Sequence, residues 1–210
     1  MPLTLNDLSL LRPFVFHVCG IVNFTSIQAS RSLKSVAQLL EGTPQEHLLH
    51  GRRSASSVVW VEGRRIEVRD HRPLALGSLK LPDGYSVQDF INELNSRVFF
   101  WVGTEAGPVP SGRRHIGRYS SEGEVRVLRI PLPGLLEHNS ARTAEVTFCN
   151  SGSARHNGGL PAYRSPATFQ RPKEAERSAA AVVELTYRTE ANLPSATLYA
   201  SNLAGPWAAL

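Results

Sequence analysis

The sequence predicts an α+β domain built on a mostly antiparallel sheet. Three observations carry this. Short apolar or alternating segments of strand length outnumber helix-length patterns. The helical patterns fall mainly in the N-terminal half of the chain. No internal repeat runs through the 210 residues, a length that supports one domain with a substantial core.

Taken in order, residues 3–11 carry Leu8, Leu10 and Leu11 and read as a short helix that Arg12-Pro13 stops. Phe14 to Val18 is an apolar run, a buried strand over 13–18 with His17 at its end. Gly20 breaks the run. Asn23 can cap an amphipathic helix over about 23–30, whose apolar stripe begins with Phe24 and Ile27. A second helix over 34–41 puts Val36, Leu39 and Leu40 on one face and ends at Gly42. Residues 43–57 hold Gln45, His47, His50, Arg52 and Arg53 and read as a mobile polar segment. Val58 to Val61 is a short strand, and the charge-dense run from Arg64 to Leu74 a solvated connector.

Ser86 and Asp89 form a capping pair ahead of Phe90, Ile91 and Leu94, which predicts a helix ending at Asn95. Arg97 to Val102 is a near-continuous apolar strand of the kind buried on both faces. Residues 103–123 are rich in glycine and proline, carry Arg113, Arg114 and Arg118, and read as a loop or mobile hairpin. Val125–Ile130 and Ala144–Cys149 alternate as strands with one wet face, and 133–138 is a helical turn. The glycine-rich loop 150–159 can wrap a phosphate with its amides, although it matches neither the P-loop nor the dinucleotide fingerprint. Ala180–Tyr187 is a strand containing Glu184. Residues 1–195 form the predicted domain, and 196–210 a loosely ordered C-terminal tail.

Composition narrows the class. Net charge is +5, and 20 of the 23 basic residues are arginine. Arginine grips phosphate as a planar fork, which suits nucleotide or nucleic-acid contact; a GC-rich genome produces the same bias. Cys19 and Cys149 make neither a disulfide framework nor a zinc site, and no carboxylate or cysteine joins His47 and His50, so no metal is expected. No apolar run reaches membrane-spanning length, and Met1 to Asp7 lacks a basic leader region, which predicts a cytoplasmic protein that does not engage membranes. Taken singly, a histidine at a strand end is commonly a satisfied core residue, and a carboxylate within a strand commonly faces water.

Together these residues resemble the DarT-type ADP-ribosyltransferases, toxins that use NAD to modify DNA bases. His17, Cys19, Asn23, Phe24 and Ile27 follow the spacing of that family's entry strand, with Cys19 standing where the family has Thr. Val183-Glu184-Leu185-Thr186-Tyr187 followed by Leu193-Pro194 is similar to its late catalytic strand. Ile66 with Arg69 resembles its arginine-bearing segment. Arg69-Asp70-His71-Arg72-Pro73, Asn95 to Trp101 and Asn150-Ser151-Gly152 resemble an uncharacterised bacterial family of the same kind. The resemblance implies an ADP-ribosyltransferase-like fold, two packed, mostly antiparallel sheets with NAD in the cleft. It implies NAD-dependent mono-ADP-ribosyl transfer, with Glu184 stabilising the oxocarbenium-like ribose and His17 holding the NAD ribose. Cys19, Asn23, Arg69 and Arg72 would contact NAD, and Phe99, Phe100 or Trp101 would stack on nicotinamide. DNA or RNA would be the acceptor, and a toxin of this kind would have an antitoxin partner. The alternatives are an NAD-cleaving or RNA 2′-phosphotransferase-like enzyme on the same fold, and a nucleotide- or partner-binding domain without catalysis.

Overall fold

The computed structural model describes residues 3–154 and 160–210. Helix α1 (Leu5–Leu11) is capped by Thr4, whose hydroxyl accepts from the Asp7 amide, and leads into strand β1 (Phe14–Gly20). Helix α2 (Ile21–Ser30) starts directly behind Gly20, and Arg31 ends it in the left-handed conformation. Strand β2 (Ser32–Lys34), helix α3 (Val36–Leu40) and the hairpin of β3 (Ser57–Val61) and β4 (Arg64–Val68) come next. After β5 (Leu79–Lys80) comes α4 (Val87–Asn95), whose Ser86–Asp89 capping box forms as predicted. The chain continues through β6 (Arg97–Thr104), β7 (Gly107–Pro108), α5 (Pro110–Glu122), β8 (Val125–Pro131), α6 (Leu132–His138) and β9 (Ala144–Thr147). It closes with β10 (Ala162–Tyr163), β11 (Glu184–Arg188), β12 (Glu190–Asn192), β13 (Leu198–Ala200) and β14 (Ala208–Ala209).

The fold is α+β. Its centre is one antiparallel sheet in the order β14-β13-β8-β1-β6-β11-β9, with β7 joined to β6. Other pairs among the described residues are two-stranded: β2 with β12, β3 with β4, and β5 with β10. The large sheet is split at its middle. β1 and β6 pair only at Phe14↔Gly103, Val15↔Val102 and Phe16↔Trp101, although both strands run on. Beyond that point β1 stays with β8 and β6 stays with β11. The expected pair of packed sheets is therefore one sheet that opens into two halves.

Several expectations need correction. Residues 110–122 form a helix, not a loop or hairpin: Pro110 opens its first turn, and Ile116 and Tyr119 bury its inner face. The segment 43–57 is held in place, because Arg52 and Arg53 donate to the carbonyls of Leu74 and Arg69. The Arg64–Leu74 connector is half of a hairpin followed by the buried Asp70 and His71. Strand β11 begins only at Glu184, after a 3₁₀ turn over Ala179–Ala181. The predicted tail is part of the sheet: Leu198–Ala200 pairs with β8 and carries β14 on its outer edge. Of the 150–159 loop, Asn150–Ala154 can be described, and residues 155–159 lie outside the described part.

The main core covers one face of the sheet and includes Val15, Val98, Phe100, Val102, Leu128, Ile130 and Leu185. The other face holds Phe16, Trp101, Ile116 and Val127 under helix α5. A Cβ on Gly112 would lie 2.7 Å from Trp101 Cγ and 2.9 Å from Pro108 Cβ. A Cβ on Gly117, in the same helix, would meet nothing within 4 Å. Gly112→Ala should therefore destabilise by about 1–3 kcal/mol through overpacking. Gly117→Ala should instead stabilise by about 0.5–1 kcal/mol through helix propensity. Equal shifts in thermal melting for the two variants would show that α5 does not press on Trp101.

Candidate active site

A cavity of about 180 Å³ opens on the Trp101 face where the sheet divides. Its wall includes His17 from β1, Phe99 and Trp101 from β6, and Glu184 from β11. The register explains how the strands deliver these groups. Glu184 lies directly across from Trp101, so the two share a face, while Leu185 pairs with Phe100 and points into the main core.

Glu184 is 2% exposed. Its Oε2 accepts from the Ser151 amide at 3.2 Å and lies 2.9 Å from Thr147 Oγ1. Thr147 Oγ1 also lies 2.7 Å from the Cys149 carbonyl, and a hydroxyl has one proton to give. An ionised Glu184 can take that proton. A protonated Glu184 can donate to Thr147 while Thr147 donates to Cys149. The network thus accommodates both states. Burial pushes the carboxyl up to about 7, against the pull of the Ser151 and Thr147 hydrogen bonds and the Arg164 charge.

His17 takes the place of a missing rung in the ladder. Its Nδ1 lies 2.9 Å from the Phe99 carbonyl, an obligate acceptor, so Nδ1 carries the proton. Burial lowers its basicity, and the ring is neutral with Nε2 as an acceptor.

Of the predicted site residues, the cavity gathers His17, Arg69, Phe99, Trp101 and Glu184. Arg69 stands over the Tyr119 ring at 4.0 Å and pairs with Glu67 at 3.0 Å. The remaining four lie elsewhere. Phe100 is fully buried on the opposite face of the sheet and packs against Tyr187. Arg72 is half exposed and pairs with Asp70 and Glu122. Cys19 and Asn23 line a second cavity of about 300 Å³ that adjoins the first at His17 and Val18. Both Asn23 amide atoms are spent on the main chain of Glu67, at 2.9 and 2.8 Å, which fastens α2 to the β3–β4 hairpin. The Cys19 thiol is pushed up to about 12 by burial and is no nucleophile.

Two arginines of the 103–123 segment are held by the protein itself. Arg118 donates twice to Asp70, at 2.7 and 2.8 Å, and Arg113 donates to the Pro108 and Ala106 carbonyls. Asp70 has no side-chain exposure. Burial alone would raise its carboxyl, but Arg118 and the Arg72 amide hold it below the usual range.

Sequence reasoning missed His115, Tyr119, His71 and Ser151. Tyr119 stacks edge-on against His115 at 4.5 Å, one helical turn away, and His115 packs on Trp101 at 5.1 Å. Their i, i+4 spacing was the available signal, hidden because the segment read as a loop. Ser151 is 1% exposed and lines the cavity beside Glu184, whose carboxyl its side chain lowers. Among the described residues no group of three or more His, Cys, Asp or Glu could hold a metal ion, and no helix is long and apolar enough to cross a membrane.

Both halves of the cavity fall within one family unit. A family model described as "Family of unknown function (DUF7002)" matches residues 13–197. The chain belongs to this family. The match runs from the strand bearing His17 past the strand bearing Glu184 and stops before β13. No curated protein and no solved structure matches the chain.

The buried groups set the response to pH. Burial and the nearby Arg53 push His71 down to about 3, and burial and Arg118 do the same to His115. Their contribution to stability is complete above 6.5 and is lost as the pH falls toward 3. Glu184 has the opposite sign. Its folded pKa is raised, so its contribution is present below 4.5 and is lost as the pH rises through about 7. Ionising it at alkaline pH costs up to roughly 3 kcal/mol. Glu184→Gln should therefore melt higher than wild type at pH 8, with the difference fading by pH 5. A difference independent of pH would contradict the raised carboxyl.

Proposed function

We propose that this cavity binds the nicotinamide–ribose half of NAD and that the protein is an NAD-dependent mono-ADP-ribosyltransferase of the DarT kind. The observation that carries the reading is the meeting of a neutral His17 and a buried Glu184 in one cavity, from opposite ends of the chain. Breaking the nicotinamide–ribose bond builds positive charge on the ribose. A carboxylate held in a dry site stabilises that charge as it forms. His17 Nε2 and the Ser151 hydroxyl beside Glu184 supply hydrogen bonds for ribose hydroxyls. Trp101 and Phe99 supply aromatic surface for the nicotinamide ring.

Arg69 brings a cation to the same wall, where a phosphate would find it. The larger cavity beyond His17 is more polar and includes Lys34, Arg64 and Arg65, which suits the rest of a dinucleotide. Within this reading the acceptor is a nucleic acid, and a toxin of this kind would need an antitoxin.

The test is nicotinamide release from NAD by the purified protein, with calorimetric NAD binding alongside. Glu184→Gln should lower turnover by about two to four orders of magnitude, since the lost interaction belongs to the transition state. Its NAD dissociation constant should change by less than about threefold. His17→Ala should weaken NAD binding as well as slow turnover. Transfer of label from NAD to DNA, RNA or protein would identify the acceptor. Turnover unchanged in Glu184→Gln would end the catalytic assignment. NAD binding without wild-type turnover would make the protein a nucleotide-binding domain.

A further inference from the structure

Arg164 is 6% exposed, and its guanidinium donates to the carbonyls of Asn150 (2.9 Å), Ser151 (3.3 Å), Ser153 (2.9 Å) and Tyr163 (2.8 Å). Three of these acceptors lie in one loop. That loop follows β9 and carries the Ser151 amide that donates to Glu184 Oε2. A buried cation is costly unless it is satisfied, and here main-chain oxygens satisfy it. The fork geometry matters, because lysine offers a single point donor and could not span carbonyls so spread.

We propose that Arg164 is the positioning residue of this site: by gripping the Asn150–Ser153 loop it holds the Ser151 amide against Glu184. The inference rests on Glu184 being the functional carboxylate, and it names what keeps Glu184 in register. Arg164 does not line the cavity, so it acts through the loop. The charged and titratable groups around Glu184 are Arg164 and Cys149 on its own side, and His17, Arg53, Arg69, Asp70, His71, Arg97, His115 and Tyr119 on the cavity wall. The Ser151 contacts lower the Glu184 carboxyl more than the Arg164 charge does, so the loop that Arg164 holds matters more than the charge itself.

The test compares Arg164→Met and Arg164→Lys with wild type. The readouts are the NMR titration of the Glu184 carboxyl carbon, hydrogen exchange at the Ser151 amide, and the kinetics of NAD turnover. In Arg164→Met the Glu184 titration should move up by about one unit, and Ser151 exchange should quicken at least about tenfold. Turnover should fall roughly tenfold or more, with KM for NAD within about threefold. Arg164→Lys keeps the charge and loses the fork, so Ser151 exchange should still quicken and the titration should still move up. Amides of Phe100 and Leu185 report on folding, and where Arg164→Met loses their protection Arg164→Lys decides. An unmoved titration in folded Arg164→Met, or Ser151 exchange unchanged in both variants, would overturn the proposal. The titration and exchange need no turnover, so an inactive wild type would remove the enzymatic reading while the clamp is judged separately.

Discussion

The interruption of the β1–β6 ladder is the feature on which the rest of the site depends. Two neighbouring strands in a sheet normally pair along their length, because an unpaired main-chain group is expensive when buried. Here pairing stops at Phe16↔Trp101, and the imidazole of His17 binds the Phe99 carbonyl that the ladder has abandoned. One side chain thus does three things. It satisfies the carbonyl, fixes its own tautomer, and leaves an acceptor nitrogen at the mouth of the gap. The cavity is the space that the split creates, and Trp101, the last paired residue of β6 in that ladder, forms part of its wall.

Two buried carboxylates near this cavity are treated in opposite ways. Both oxygens of Asp70 accept from Arg118 Nη2, the Arg72 guanidinium and a main-chain amide join them, and the carboxyl stays ionised. It serves as a tie between the segment after β4 and helix α5. Glu184 receives one amide and shares one hydroxyl, with its cation held beyond hydrogen-bond range and occupied by carbonyls. Burial therefore dominates, and the carboxyl sits near neutrality. Environments that drive similar groups apart in this way single out Glu184, and not Asp70, as the candidate for chemistry.

Much of the frame was legible. The 86–95 helix carried its own capping box, β1 and β6 were apolar runs, and β8 and β9 alternated. The likeness carried by the His17 and Glu184 motifs named two residues that the fold places in one cavity. Composition misled over α5. Its proline and two glycines suppress the local helix signal, whereas Gly112 is small because Trp101 lies against it. Register was beyond sequence reasoning. Alternation sets Phe100 against Phe99 and Trp101, but only the pairing with Leu185 shows which of the two faces meets the main core. Ser151 and Arg164 were equally hidden, since their roles arise from main-chain contacts between segments that carry little periodicity.

The arginine bias finds a structural explanation in those same contacts. Arg31 donates to the carbonyls of Pro194 and Leu210, Arg52 to Leu74 and Arg72, and Arg53 to Leu48 and Arg69. Arg113 and Arg164 do the same for their own loops. Much of this chain is irregular, and irregular segments that pack on a sheet carry carbonyls with no ladder to enter. A guanidinium is suited to that work because it reaches several oxygens at once and stays charged. Arg118 and Arg72 are spent in a different way, on the buried Asp70. Among the described residues, the cations left to meet a phosphate at the cavities are thus fewer than the net charge suggests. They are Lys34, Arg64 and Arg65 at the second cavity, while Arg69 at the first is shared with Glu67.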